Sequence, residues 1–236
     1  IQQLANTPGV RRFGLASIRV CAVAGAPLAL EIREMFEKIT RGRLVEAYGL
    51  AEAAPAVLAM PLVGRRQSGV VGLPLPDTEA KILDLDSGAP VAPDQLGELW
   101  VRGPQVFCGY GGTDARNAEA TARVLRDGWL ATGDIASMDE NGFFNIIERK
   151  ENMLLRDGQR VFPRQIEDAL YEHPAVALAH VVREQDGQGI TRLRAQVSLH
   201  RNLATTEEEL MKYCARRLHL SALPDVIVIE QPASRS

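Results

Sequence analysis

The sequence predicts a mixed α/β and α+β chain: the end of a parallel-sheet βα subdomain at 1–65, a small antiparallel β-barrel at 66–149, and a compact α+β C-terminal domain at 150–236. Three observations predict it. Strand-like and helix-like apolar spacing alternate near the N-terminus; short alternating strands separated by turn residues follow; and helix and strand patterns resume after the charged run "ERKEN" at 148–152.

The first region reads as one βαβ unit. "SIRVCAVAG" is an apolar run stopped by Gly25, Ala26 and Pro27, and "LALEIREMFEKI" then carries Leu28, Ile32, Met35, Phe36 and Ile39 at helical spacing. The strand "RLVEAY" returns and ends in "YGLAE". Ligands of open parallel sheets sit beyond the carboxyl ends of the strands, so "AGAP" and "YGLAE" are expected to face one pocket. A solitary acid, Glu52, stands there with no second acid, His or Cys close in sequence.

The texture changes from about residue 66. "EAKILDL" precedes the turn "DSGAP", and "GELWVRGPQVF" alternates, with Leu99 and Val101 on one face and Glu98, Trp100 and Arg102 on the other. "GDIASM" and "FFNIIER" flank "DENG", a hairpin signal. In the last region "PRQIEDALYEH" is helical, with Ile166, Ala169 and Leu170 on one face. "VALAHVV" and "RLRAQVSLH" read as strands around a polar loop, "REQDGQGIT". "TEEELMKYCARRL" is a helix opened by a capping box of Thr206 and Glu209, and "DVIVIE" is a final strand.

Composition excludes several classes. Of 236 residues 46% are hydrophobic and 24% charged, ordinary values for a soluble globular chain, and the net charge of -3 argues against nucleic acid as a partner. No apolar run approaches the ~20 residues that cross a bilayer, so no transmembrane segment is expected. Cys21, Cys108 and Cys214 are odd in number and widely spaced, which suits reduced thiols and a cytoplasmic location. His173, His180, His200 and His219 lack metal-ligand spacing.

"YGLAE", "GELWVRGPQVFCGY", "DGWLATGD", "IERKENM" and "VFPRQIEDALYEHPAV" occur in that order. This set resembles the adenylate-forming superfamily of acyl-CoA synthetases, adenylation domains and luciferases. "GRRQSGVVGLPLPDTEAKILD" and "RDGWLATGDIASMDENGFFNIIERK" are most similar to its long-chain fatty acid–CoA ligase branch. The resemblance matches about the second half of a family member and implies activation of a fatty or related carboxylic acid by ATP, release of AMP, and transfer of the acyl group to coenzyme A. It implies ATP/AMP, Mg²⁺ and coenzyme A as cofactors, and leaves the oligomeric state open. An adenylation domain that loads a carrier protein, or a non-catalytic nucleotide-binding module, stands as the alternative.

The resemblance also implies roles. Tyr48 matches the aromatic residue that packs on adenine, with Gly49 beside it; Asp134 matches the carboxylate that accepts from both ribose hydroxyls; and Arg149 matches a ribose-contacting arginine. Gly25, Ala26 and Pro27 match a turn lining the adenine and acyl pocket, where glycine permits close backbone approach. Glu52 matches the Mg²⁺-associated carboxylate; a hard cation bridging phosphates needs only one or two protein oxygens, which accounts for a lone acid. Glu151 matches the domain hinge and Gly158 the loop near the pantetheine tunnel of coenzyme A. No catalytic residue is assigned within the chain: the expected phosphate loop lies upstream of Ile1 and the expected lysine beyond Ser236. Ala51 replaces a phosphate-binding threonine, Ala131 a polar residue before "TGD", and Asp157 the first glycine of a Gly-Gly pair.

Overall fold

The computed structural model describes residues 4, 7, 9–25, 30–64, 70–112, 114–185 and 191–230. The chain divides into two compact units, Ile1–Ile147 and Glu148–Ser236, just ahead of the boundary drawn at Arg149 from the sequence.

In the first unit, β1 (Val20–Val23) pairs parallel with β2 (Arg43–Tyr48), and α1 (Leu30–Thr40) connects them. The helix stops because Thr40 turns back on it: its hydroxyl donates to Phe36 O at 2.9 Å and accepts from Gly42 N at 3.1 Å. Phe36 is buried, and the Glu37 carboxylate accepts from Leu44 N at 2.9 Å, which ties the helix to β2. Two short antiparallel strands, β3 (Leu58–Ala59) and β4 (Leu73–Pro74), extend this sheet in the order β1-β2-β3-β4.

The antiparallel region consists of β5 (Glu79–Leu83), β6 (Gly97–Arg102), β7 (Leu125–Arg126), β8 (Trp129–Met138) and β9 (Phe144–Arg149). Its order is β5-β6-β8-β7, with β9 also on β8, so the expected barrel is a half-barrel-like curled sheet. The alternation in β6 is real: Leu99 and Val101 are fully buried, while Trp100 and Arg102 lie on the other face. There Lys81 Nζ stands 3.9 Å from the Trp129 ring centre and Arg102 Cζ 4.7 Å from it, so cations cover the aromatic faces. One core joins this sheet to the end of the βα region: Ala53, Val57 and Leu58 pack with Ile82, Leu99, Val101, Leu130 and Phe144. The sequence division at residue 65 therefore runs through a shared core. A further helix, α2 (Ala115–Val124), has its N-terminus capped by Asp114, whose side chain accepts from Arg116 N.

The second unit contains the hairpin β10 (Leu154–Arg156) and β11 (Gln159–Val161), then α3 (Pro163–Tyr171) and α4 (Glu207–Ala215) against a sheet of β12 (Val176–Gln185), β13 (Thr191–Leu199) and β14 (Val226–Glu230). Ile166, Leu170, Leu193, Val197, Leu210 and Cys214 form its core. The capping box of Thr206 and Glu209 is present on α4. The polar stretch read as a loop is shorter than expected. β12 runs through Gln185, which pairs with Thr191, and Glu184 Oε1 meets Arg194 NH1 at 3.2 Å. Residues 186–190 lie outside the described residues. Arg156 anchors the hairpin, donating to Leu223 O at 3.0 Å and pairing with Asp225 Oδ1 at 2.6 Å; Asp225 Oδ2 accepts from Leu193 N.

Candidate functional site

The site lies within the first unit, where the end of β2 meets the middle of β8. Tyr48 is the last residue of β2; its carbonyl accepts from Val57 N at 2.9 Å, and its neighbour Gly49 has no room for a side chain, because a Cβ there would overlap the carbonyl oxygen of Pro55. The chain then turns through a short 3₁₀ segment, Ala51–Ala53, that presents Glu52.

Asp134 is positioned by an irregularity in β8. Glu98 of β6 pairs with Ile135 and Trp100 with Ala131, so between these pairs one residue on β6, Leu99, faces three on β8, Thr132 to Asp134, and the surplus bulges. Gly133 in this bulge has φ of +72°, a backbone state that glycine adopts without strain. Thr132 Oγ1 pins the bulge by donating to Leu99 O at 2.8 Å and accepting from Asp134 N at 3.1 Å. The alternation of buried and half-buried positions breaks here, and Asp134 is left 6% exposed. Tyr48 Oη donates a hydrogen bond to Asp134 Oδ2, closing a gap of 86 residues in sequence. A buried carboxylate of this kind needs such a donor to offset the solvation it has lost.

Glu52 is held from a different direction. Tyr110 Oη donates to Glu52 Oε1 at 2.9 Å, and Phe107 N donates to the Glu52 carbonyl at 2.8 Å. The hydrogen bond to Glu52, with a smaller contribution from burial, raises the Tyr110 phenol above its ordinary pKa, so it stays a donor at neutral pH. Tyr110 was not singled out in the sequence. Its signal was an aromatic side chain between glycines in "CGYGG", a place where nothing local demands a ring.

As for Mg²⁺, no group of three or more His, Cys, Asp or Glu side chains able to hold a metal occurs among the described residues. Glu52 Oε2 has no protein partner among them either. That donor set fits a hard cation that takes most of its ligands from phosphate and water, and does not fit a protein cage.

The other expected positions divide as follows. Gly25 has φ of +93° and open space where a Cβ would stand, so backbone conformation, not close approach, calls for glycine there. Ala26 and Pro27 lie outside the described residues. Ala51 opens the 3₁₀ turn and is exposed, and Ala131 is half-buried in β8 opposite Trp100. In the second unit, Arg149 Nε lies 3.7 Å from Glu151 Oε1, both exposed, and Glu151 sits in a 3₁₀ turn, Lys150–Asn152, that follows β9. Asp157 and Gly158 form the two-residue turn of the β10–β11 hairpin, with φ of +51° and +76°. A type I′ turn needs positive φ at both places, and Asp-Gly satisfies this almost as well as Gly-Gly. The sequence departure at Asp157 therefore leaves the turn intact and adds an exposed negative charge at its tip.

Comparison with known proteins defines the class. The AMP-binding enzyme family model matches residues 1–111, and the AMP-binding enzyme C-terminal domain matches residues 165–236. The chain belongs to this family of adenylate-forming enzymes. It is 40% identical over 215 residues to a long-chain-fatty-acid–CoA ligase of Bacillus subtilis, covering 91% of this chain and 38% of that protein. The chain thus spans about two-fifths of the length of such relatives. Among solved structures, ATP-bound MatB from Rhodopseudomonas palustris shares the fold, with a TM-score of 0.82 at 24% identity over 100% of this chain and 46% of its own. O-succinylbenzoate coenzyme A synthetase (MenE) from Bacillus subtilis, solved with ATP and magnesium ion, gives 0.73 at 27% identity over 97% of this chain and 45% of its own.

Proposed function

We propose that the complete protein carrying this chain is an AMP-forming acid–thiol ligase that converts a fatty or related carboxylic acid, ATP and coenzyme A to acyl-CoA, AMP and pyrophosphate. The observation that carries the reading is the meeting of Tyr48 and Asp134 across 86 residues, with Glu52 presented just beyond the end of the same strand. Similarity to long-chain-fatty-acid–CoA ligases supports fatty acids as the substrate class.

In this reading the acid's carboxylate oxygen attacks the α-phosphorus of ATP, and the bond to pyrophosphate breaks. The thiol of coenzyme A then adds to the acyl carbonyl, loses its proton, and expels AMP. The ring of Tyr48 is the face on which adenine stacks, and Asp134 accepts from the ribose hydroxyls while retaining the Tyr48 bond; a carboxylate has about four lone-pair sites for this. Gly25 and Gly49 are assigned to nucleotide binding, as are Ala26 and Pro27 from the sequence alone. Glu52 would hold Mg²⁺, which would supply positive charge against the phosphate oxygens. Arg149 contacts the ribose, Glu151 is the hinge, and Gly158 lies on the path of coenzyme A. The partners are small molecules, and the compartment is the cytoplasm.

ATP–pyrophosphate exchange on the complete gene product tests this. Exchange that depends on added fatty acid is expected, and the isolated 236-residue chain is expected to exchange poorly. Adenine nucleotide binding by the complete product without exchange for any carboxylic acid would establish a non-catalytic module instead.

A further inference from the structure

Glu52 is gripped twice by one loop. The segment 107–112 gives its Phe107 N–H to the Glu52 carbonyl at 2.8 Å and its Tyr110 hydroxyl to Glu52 Oε1 at 2.9 Å. The loop is itself anchored. Tyr110 N donates to Thr121 Oγ1 of α2 at 3.0 Å, Thr121 Oγ1 donates to Asn117 O at 2.7 Å, and Asn117 Nδ2 donates to Gly111 O. Gly109 has φ of +142°, and a Cβ on it would come within 2.9 Å of Thr121 Cγ2, so the loop lies directly on the helix. The Phe107 and Tyr110 rings meet edge to face at 5.0 Å between centres. Helix, loop and ring thus form one connected support that ends at a single carboxylate oxygen.

We infer that Tyr110 is a positioning residue for Glu52, orienting its carboxylate so that the second oxygen is presented to the cation that accompanies ATP. The inference rests on the reading of Glu52 as the Mg²⁺ carboxylate. A glutamate on a three-residue turn has several rotamers open to it, and a lone ligand cannot be steered by companion ligands. An outer hydrogen bond to the oxygen that does not bind the cation removes that freedom before binding and fixes which lone pairs face outward. Tyr110 is 39% exposed and its ring is not needed to close the core, so its hydroxyl has little structural work to do elsewhere.

The test uses the complete gene product with Tyr110→Phe, which removes one oxygen and keeps the ring, beside Glu52→Gln. Mg²⁺ is titrated calorimetrically into each protein saturated with a non-hydrolysable ATP analogue, and the Mg²⁺ concentration for half-maximal ATP–pyrophosphate exchange is measured in parallel. Tyr110→Phe is expected to raise both constants about 10-fold or more, the usual effect of losing an outer-shell partner, with exchange recovering as Mg²⁺ is raised. Unchanged Mg²⁺ constants in Tyr110→Phe, with raised constants in Glu52→Gln, overturn the role of Tyr110 and leave that of Glu52 standing. Unchanged constants in both variants remove the metal reading of Glu52 and this inference with it. Should Tyr110→Phe not fold, Thr121→Val, which releases the Tyr110 backbone, is read the same way: a rise supports the inference and no change overturns it.

Discussion

Replacing Tyr48 separates two jobs that the structure gives to one side chain. The phenol hydroxyl donates to Asp134, a carboxylate only 6% exposed, and the ring is the stacking face proposed for adenine. Tyr48→Phe keeps the ring and removes the donor. A hydrogen bond to a charged group contributes about 1.5–3 kcal/mol. Asp134 retains the backbone hold of the Thr132 bulge, which places the expected loss near the lower end, about 1.5 kcal/mol. Urea denaturation followed by the fluorescence of Trp100 and Trp129 measures it, because both tryptophans lie on the curled sheet of the first unit. Adenine nucleotide affinity of the complete gene product is expected to fall little in Tyr48→Phe. In Tyr48→Ala it is expected to fall by the value of one stacked base, about 1–3 kcal/mol, or roughly 5- to 150-fold. Equal losses of affinity in Phe and Ala variants would refute the division, since the hydroxyl and not the ring would then carry binding.

Three further expectations follow from the geometry. Gly133→Ala forces a side chain into φ of +72° with no steric neighbour to blame, so it should cost about 1–2 kcal/mol of stability and also weaken nucleotide binding by moving Asp134; calorimetric titration with AMP reads the second effect. Asp157→Gly should leave thermal stability nearly unchanged, because the turn keeps its positive φ values, while lowering the KM for coenzyme A by removing a negative charge from the turn tip; an unchanged KM would detach that turn from the cofactor path. Burial pushes the Cys214 thiol up to about 11, so it remains protonated at pH 8; brief iodoacetamide treatment of the native chain should label exposed Cys108 and spare Cys214, as peptide mass mapping can verify.

The candidate site residues are legible in the sequence as motifs: Tyr48, Gly49 and Glu52 stand in "YGLAE" and Asp134 in "TGD", and their expected roles come from the resemblance of the ordered motif set to adenylate-forming enzymes. Their mutual placement was not legible. Helix α2 escaped the sequence reading because "ARNAEATARV" buries none of its side chains and so lacks the apolar stripe that marks a helix. The support of Tyr110 by Thr121 depends on α2, so in the sequence Tyr110 is one aromatic among glycines. The hairpin of β10 and β11 was likewise hidden, since three-residue strands are too short to show alternation.

The sequence by itself determined the βαβ start, the buried face of β6 and the capping box on α4. Each is a property of spacing over fewer than about a dozen residues, where helix and strand periods decide which side chains share a face. Tertiary structure alone decided the strand order of the curled antiparallel sheet, that β8 bulges at Gly133 to bury Asp134, and that Tyr48 and Tyr110 each hold a carboxylate far away in sequence. Those outcomes depend on strand order and register. Separations of 86 and 58 residues lie beyond any local period, and only packing around the shared core of Ala53, Leu58, Leu99 and Leu130 brings them together.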